Sequence, residues 1–271
     1  MPLLGWIILF TAIGGIASAA FAGLFWLLPQ RLSAALLPHL VSFATGALLG
    51  AALLALLPEA IEGAGPQGAH AIGASLALGL GIFFVIEKLV LWWHAHAPGH
   101  AHEGSGATDH SAHHDEEDLQ RRRATGVLVL VGDSVHNTLD GVLIAAAFLT
   151  NVPLGVVTAL AVAAHEVPHR LGDFVILVHS GISRRRALLL NLATGLASVA
   201  GGLAAFYGLK RALGLLPYTL AVAVAGFLYI AVAGLIPGLH RRVDLPASLV
   251  QLLLIILGAG LIAWADRLAH G

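Results

Sequence analysis

Two short stretches of the sequence carry side chains able to do chemistry. In GDSVHNTLDG, residues 132–141, Asp133, His136, Asn137 and Asp140 fall at i, i+3, i+4 and i+7 and so line one stripe of a helix. In AAHEVPHRLGDFVIL, residues 163–177, His165, Glu166, His169 and Asp173 repeat that arrangement. HEVPH satisfies H-E-x-x-H, in which two imidazoles one helical turn apart hold zinc while the glutamate activates a water. The same groups can also hold a cation reversibly, with no hydrolysis at all. His136, Asp140, His165 and His169 make a set of three nitrogens and one oxygen, suited to tetrahedral zinc and tolerable for other first-row divalent ions. The chain has no cysteine, which excludes thiolate ligands and disulfides.

The elements that must position these groups are membrane spans. Hydrophobic residues make up 58% of the 271 and charged residues 11%, with mean hydropathy +0.88. A soluble domain carries about 25% charged residues, so the composition excludes one. Apolar stretches long enough to cross about 30 Å of hydrocarbon as helix occur eight times, at 4–28, 36–58, 70–93, 125–149, 153–180, 187–209, 214–236 and 246–265. The fold class expected is therefore all-α, a polytopic membrane protein. The first stretch has no positive residue before it and exceeds a signal-peptide core, so it is expected to be retained. Residues 1–93 hold spans one to three, 125–180 the two motif-bearing spans and 181–271 the last three. Between them, 94–124 mixes His94, His96, His100, His102, His110, His113 and His114 with acids and glycine. Its polarity leaves nothing to pack, which predicts a disordered loop, and its histidines make it either a weak metal buffer or sensor or a passive linker.

Only Asn151, Val152 and Pro153 separate spans four and five, making them antiparallel neighbours. At about 1.5 Å per residue, His136 and His165 both lie roughly 20 Å from that connection, level with each other near the bilayer centre. An ionisable side chain there costs about 2.5–3.5 kcal/mol on the insertion scale, so the two stripes must face each other or a water-filled path. A divalent cation is the simplest partner able to compensate several carboxylates and imidazoles together. Pro168 leaves the carbonyl of Ala164 without a helical donor, which predicts a kink lining the same path.

Lys and Arg set the orientation. With the N-terminus outside, the inner loops hold Arg31, Arg121 to Arg123, Arg184 to Arg186, Arg241 and Arg242, and the outer side holds Lys210, Arg211 and Arg267, nine against three. The positive-inside rule then places both termini outside and the His-rich loop in the cytoplasm, in a bacterial inner or plasma membrane.

Two functions use these ligands. An intramembrane zinc metalloprotease would take HEVPH as its catalytic pair and Asp140 as third ligand. Against it, Asp140-Gly141 precedes the motif, His136 supplies a fourth ligand where catalysis needs an open position, and Pro168 distorts the turn. A carrier needs the same ligands and none of those conditions. HNTLDG and HEVPHRLGDF resemble the H-N-x-x-D-G and H-E-x-P-H-E-x-G-D-F motifs of the ZIP (Zrt-, Irt-like) family of divalent metal transporters. SFATGALLGAALLALLPEA and FFVIEKLV are similar to that family's second and third spans, and AGFLYIAVAGLIPGL to its seventh.

The resemblance implies a ZIP-like bundle of eight transmembrane helices that moves zinc or a related divalent cation toward the cytoplasm as its transported substrate. It implies alternating access between helix groups, inverted pseudo-symmetry of spans one to three and six to eight, and frequently a homodimer. On this reading the chain is no enzyme and has no catalytic cofactor. Its partners are the metal ion and the lipid bilayer, without nucleic acid. Carried over by position, a first metal site would use His136, Asp140, His165 and His169 and a second Asn137 and Glu166. The chain departs from the pattern at Arg170, where a Glu is usual, at Gly234 and Gly238 in span seven, and at Ala51 and Ala55 in span two. Arg170 stands one turn beyond Glu166, where a salt bridge is geometrically natural, and its guanidinium would then take the place of a second ion. Four further groups are candidates along the path. Glu59 would serve at the outer mouth, Glu87 as an ion-pair partner of Lys88 or a release group, Asp133 as an exit ligand on the cytoplasmic side, and Asp173 as a hydrogen-bond acceptor for His169 or a group that helps the metal exit.

Overall fold

Each long apolar run of the sequence becomes a helix, because a backbone amide in hydrocarbon has no partner outside its own helix. The computed structural model describes residues 1–25, 27–96, 111–240 and 244–270, without the side chains of residues 30, 90–96, 111–125 and 269–270. Among the described residues, eight helices are long and apolar enough to cross a membrane. They are α1 Leu3–Phe25, α2 Arg31–Ala64, α3 Ala69–Leu89, α4 Gly126–Thr150, α5 Val152–His179, α6 Arg184–Leu209, α7 Leu213–Leu239 and α8 Leu245–Leu268. This is the all-α polytopic architecture the sequence implies. The backbone of α3 continues to His96, and that of α4 begins at Ser111. Residues 97–110 lie outside the described residues, as do the side chains of His94, His96, His113, His114 and Arg121 to Arg123 and all of Arg241 and Arg242. The expectations placed on the His-rich loop fall there, apart from the helical backbone at its two ends.

Burial sorts the helices. The apolar windows of α2 and α5 are 61% and 56% buried, against 17% and 11% for α3 and α8, which puts α5 inside the bundle and α8 at its edge. Leu252, Leu253, Ile256 and Leu257 of α8 are exposed, as a lipid-facing surface requires. Around α5 the core joins Leu48 and Leu56 of α2, Ile144 and Phe148 of α4, and Val224 and Phe227 of α7.

Glycines bring several helices together backbone to backbone. A Cβ on Gly141 would sit 1.9 Å from the Ser198 carbonyl oxygen, and one on Gly201 would sit 2.1 Å from that of Thr138, so α4 and α6 touch without side chains between them. Gly15 and Gly195 join α1 to α6 in the same way, and Gly46 with Ile255 joins α2 to α8.

Two local devices set the course of the central helices. Asn151 caps α5 by accepting from the Leu154 amide at 2.7 Å, and Pro153 occupies the first turn, where its missing N–H costs nothing. The tight connection that results holds α4 and α5 antiparallel. Wider π-helical turns occur at Ile13–Ala17 in α1, Ala51–Leu56 in α2 and Ile230–Leu235 in α7. They cover Ala51, Ala55 and Gly234, three positions at which the chain departs from the pattern it resembles. Nothing in the periodicity of the sequence announces them. Pro168 lies inside α5, which continues past it as helix to His179.

Candidate metal centre

The stripes of α4 and α5 meet face to face. His136 Nε2 lies 3.3 Å from His165 Nε2, 3.3 Å from Glu166 Oε1 and 3.7 Å from Asp140 Oδ2. His165 Nε2 lies 3.4 Å from Asp140 Oδ2 and 3.9 Å from Glu166 Oε1. A tetrahedral ion with bonds of about 2.0–2.2 Å needs ligand-to-ligand edges of roughly 3.3–3.6 Å. Five edges of the figure formed by these four atoms lie at or near that length before any ion is present. Asp140 Oδ2 and Glu166 Oε1 are also buried without a hydrogen-bond partner. Two unpartnered carboxylate oxygens would be costly in an apolar bundle unless a cation served them.

The ligands divide differently from the sequence expectation. Glu166, expected at a second position, joins His136, Asp140 and His165 around one point, and His169, expected in that first set, groups with Asp133 and Asp173. His169 Nδ1 is 3.1 Å from Asp173 Oδ2 and 4.0 Å from Asp133 Oδ1, and its ring stacks on that of His136 with centroids 5.0 Å apart. The cause is helical rise. His169 sits one turn, about 5.4 Å, beyond His165. That is the level of Asp133 on the antiparallel α4. The expected hydrogen bond between His169 and Asp173 is present.

Arg170 lies between the two groups and is completely buried. Its Nε donates to Glu166 Oε2 at 2.8 Å, the i,i+4 pair anticipated from the sequence, and its Nη1 to Asp133 Oδ2 at 2.6 Å. Nη1 is also within 2.5 Å of Thr194 Oγ1, 2.9 Å of Asn191 Oδ1 and 3.1 Å of the Asn191 carbonyl oxygen. Nη2 donates to Asn137 Oδ1. Asn137 in turn donates through Nδ2 to Asp133 Oδ1 at 2.9 Å. Both ends of the Asn137 amide are thus engaged by protein groups, Oδ1 through one of its two lone pairs. The guanidinium ties α4, α5 and α6 together through bonds to both carboxylates and both amides.

Asn191 and Thr194 of α6 had no place in the sequence reading. Their one signal is a polar pair at i, i+3 within an apolar span. Of the outlying candidates, Glu59 accepts from Asn151 Nδ2 at 3.1 Å, at the cap of α5. Glu87 accepts from the Tyr229 hydroxyl, and Lys88 lies 5.7 Å from the centre of the Phe84 ring, so each has found a partner other than the ion pair considered for them.

The family model described as ZIP Zinc transporter matches residues 94–266. "Zinc transporter zipt-7.1" of Caenorhabditis briggsae is 30% identical, over 94% of this chain and 78% of its own length. "Zinc transporter ZIP13" of Pongo abelii is 32% identical, over 82% of this chain and 64% of its own. "Zinc transporter ZIP4" of Homo sapiens is 34% identical, over 77% of this chain but only 39% of its own length. With a preformed tetrahedron of His, Asp and Glu atoms inside eight apolar helices, and with matches of this extent, the chain belongs to the ZIP zinc transporter family.

Proposed function

We propose that this chain carries zinc, or a related divalent cation, across the membrane toward the cytoplasm, binding it at His136, Asp140, His165 and Glu166. The observation that carries the reading is the set of near-tetrahedral edges with two unpartnered carboxylate oxygens at the buried meeting point of α4 and α5. Reversible binding fits these ligands, since nitrogen and oxygen donors hold first-row ions without the thiolates of closed structural sites. The direction rests on the excess of Lys and Arg in the loops on one side, which supports an orientation with both termini outside. Arg170 supplies the charge that a second ion would bring between Glu166 and Asn137, so the central position takes one ion. The hydrolytic reading has no observation in its favour, because all four corners of the figure are protein atoms and no position is left for a catalytic water.

The test is metal flux into proteoliposomes across a panel of divalent ions, compared between the wild type and His165→Ala. Removing a direct ligand should weaken binding by more than the roughly 10–100-fold that follows loss of a group one step further out. Flux should fall to background while the variant still inserts and folds. Wild-type flux from a well-folded His165→Ala protein would refute the assignment.

A further inference from the structure

We infer that Arg170, held in place by Asn191 and Thr194 of α6, is a specificity-determining residue of the central site: it withholds the second oxygen of Glu166 and so favours ions that accept four ligands, such as Zn2+ and Co2+, over ions that want six, such as Mn2+. The inference rests on the carrier reading above and names the class of cation that the site selects. The two oxygens of Glu166 have different surroundings. Oε1 is buried without a hydrogen-bond partner and lies 3.3 Å from His136 Nε2, whereas Oε2 accepts from Arg170 Nε at 2.8 Å. An ion in the tetrahedron therefore meets Glu166 through one oxygen. Taking both would break a charge-assisted bond between two side chains that are each 0% exposed.

The guanidinium cannot follow the carboxylate if it turns, because α6 grips it. Arg170 Nη1 lies 2.9 Å from Asn191 Oδ1 and 2.5 Å from Thr194 Oγ1, and Thr194 Oγ1 donates to the Asn191 carbonyl oxygen at 2.9 Å. Asn191 Nδ2 also donates to the Arg170 carbonyl oxygen at 3.1 Å, so one amide holds both the side chain and the main chain of residue 170. A planar guanidinium fixed at its far end keeps Nε in one place. Asn191 and Thr194 are thus positioning residues, which act on the ion through Arg170 and then Glu166.

Coordination chemistry turns this arrangement into selectivity. Zinc completes its shell with four ligands, while Mn2+ prefers an octahedron of oxygens. Except for His136, whose side chain is 18% exposed, the corners of the tetrahedron are closed to water. Extra ligands for a larger shell would have to come from second carboxylate oxygens, and that of Glu166 is committed. Charge points to a single divalent ion. Asp133, Asp140 and Glu166 are buried carboxylates, of which the guanidinium offsets one charge and a divalent ion the other two.

The experiment uses the full-length protein in detergent, as wild type, Arg170→Met, Asn191→Leu and His165→Ala. Substoichiometric Co2+ reports ligand number, because four-coordinate Co2+ absorbs visible light several-fold more strongly than six-coordinate Co2+. Competition between Zn2+ and Mn2+ reports selectivity as a ratio of dissociation constants. The wild type should give the intense four-coordinate bands. Arg170→Met and Asn191→Leu should weaken the bands and narrow the preference for Zn2+ by roughly tenfold, the scale on which groups that orient a ligand act. Loosened packing alone would weaken both ions alike. Equal losses for Zn2+ and Mn2+ with unchanged bands overturn the inference, as do weak Co2+ bands in the wild type. The carrier reading survives either result if His165→Ala still abolishes Zn2+ binding, whereas Zn2+ binding untouched by His165→Ala would sink the central site itself. Asn191→Leu behaving as wild type refutes the part given to α6. Should the Arg170 and Asn191 variants fail to fold, a crystal structure of the wild type with Zn2+ decides. Glu166 bound through Oε1 alone supports the inference, and both of its oxygens on the ion overturn it.

Discussion

Replacing Arg170 by Met removes the buried charge and keeps an unbranched stem of similar reach. The structure sets the size of the effect. In the variant, Asp133 and Glu166 lose their ion pair and Asn137, Asn191 and Thr194 lose a donor, all at positions closed to water. Breaking a buried pair from one side costs about 3–5 kcal/mol, because the remaining charge stays buried without compensation. The folded protein in metal-free buffer should therefore lose roughly that much stability. A divalent ion can make up part of the loss, since the carboxylates that held the guanidinium become ligands. Zinc at about 100 times its dissociation constant for the freed site would return about 2.7 kcal/mol by linkage. The assay is thermal unfolding in detergent, with and without Zn2+, for wild type and Arg170→Met. Zinc should raise the midpoint of the variant more than that of the wild type and close much of the gap between them. Equal zinc shifts in the two proteins, or a metal-free variant as stable as the wild type, would refute the idea that Arg170 stands in for a cation.

Deleting residues 97–110 should leave zinc flux in proteoliposomes intact and change only its response to metal on the loop side, since every proposed ligand lies in α4 or α5. Asn151→Ala removes the cap of α5 and the partner of Glu59, and should cost about 1 kcal/mol in unfolding with little change in metal binding. Gly141→Ala places a Cβ against the Ser198 carbonyl oxygen, so it should destabilise by about 1–3 kcal/mol or more and depress expression, whereas Gly172→Ala, which meets nothing within 4 Å, should be tolerated.

The eight spans were legible because hydrocarbon accepts no other backbone arrangement, and length and hydropathy alone decide the matter. The two polar stripes were legible for a related reason, since charges at that depth have few places to go. The grouping of the ligands was harder. Spacing at i and i+4 puts His165 and His169 on one face of α5, and the face is correct. But a zinc ion spans only one level of an antiparallel pair, and level depends on distance from the connection at Asn151. By that measure the structure brings His169 to the level of Asp133 and Glu166, next to His165, to the level of His136. The part played by Asn191 and Thr194 was hidden more deeply. Which face of α6 meets Arg170 is fixed by the register of the glycine contacts between α4 and α6, and register between distant spans leaves no trace in local periodicity. The π-helical turns escaped for the same reason, since they arise from packing and not from any run of residues.

The glycine contacts also constrain how the molecule can move. Two helices separated by side chains can slip past each other as rotamers adjust, but two backbones in direct contact cannot. Displacing α4 along α6 by even one residue would drive a neighbouring Cβ into the carbonyl that Gly141 or Gly201 now accommodates. The same holds for α1 against α6 at Gly15 and for α2 against α8 at Gly46. Arg170 adds α5 to the first group through its bonds to α4 and α6. Backbone contacts and Arg170 thus join α1, α4, α5 and α6 to one another, and a backbone contact joins α2 to α8. The core shared by these two groups includes Leu48 and Leu56 of α2, Ile144 of α4 and Val162 of α5. A displacement of one group against the other would therefore meet side chains at this surface, whereas within each group it would meet backbone.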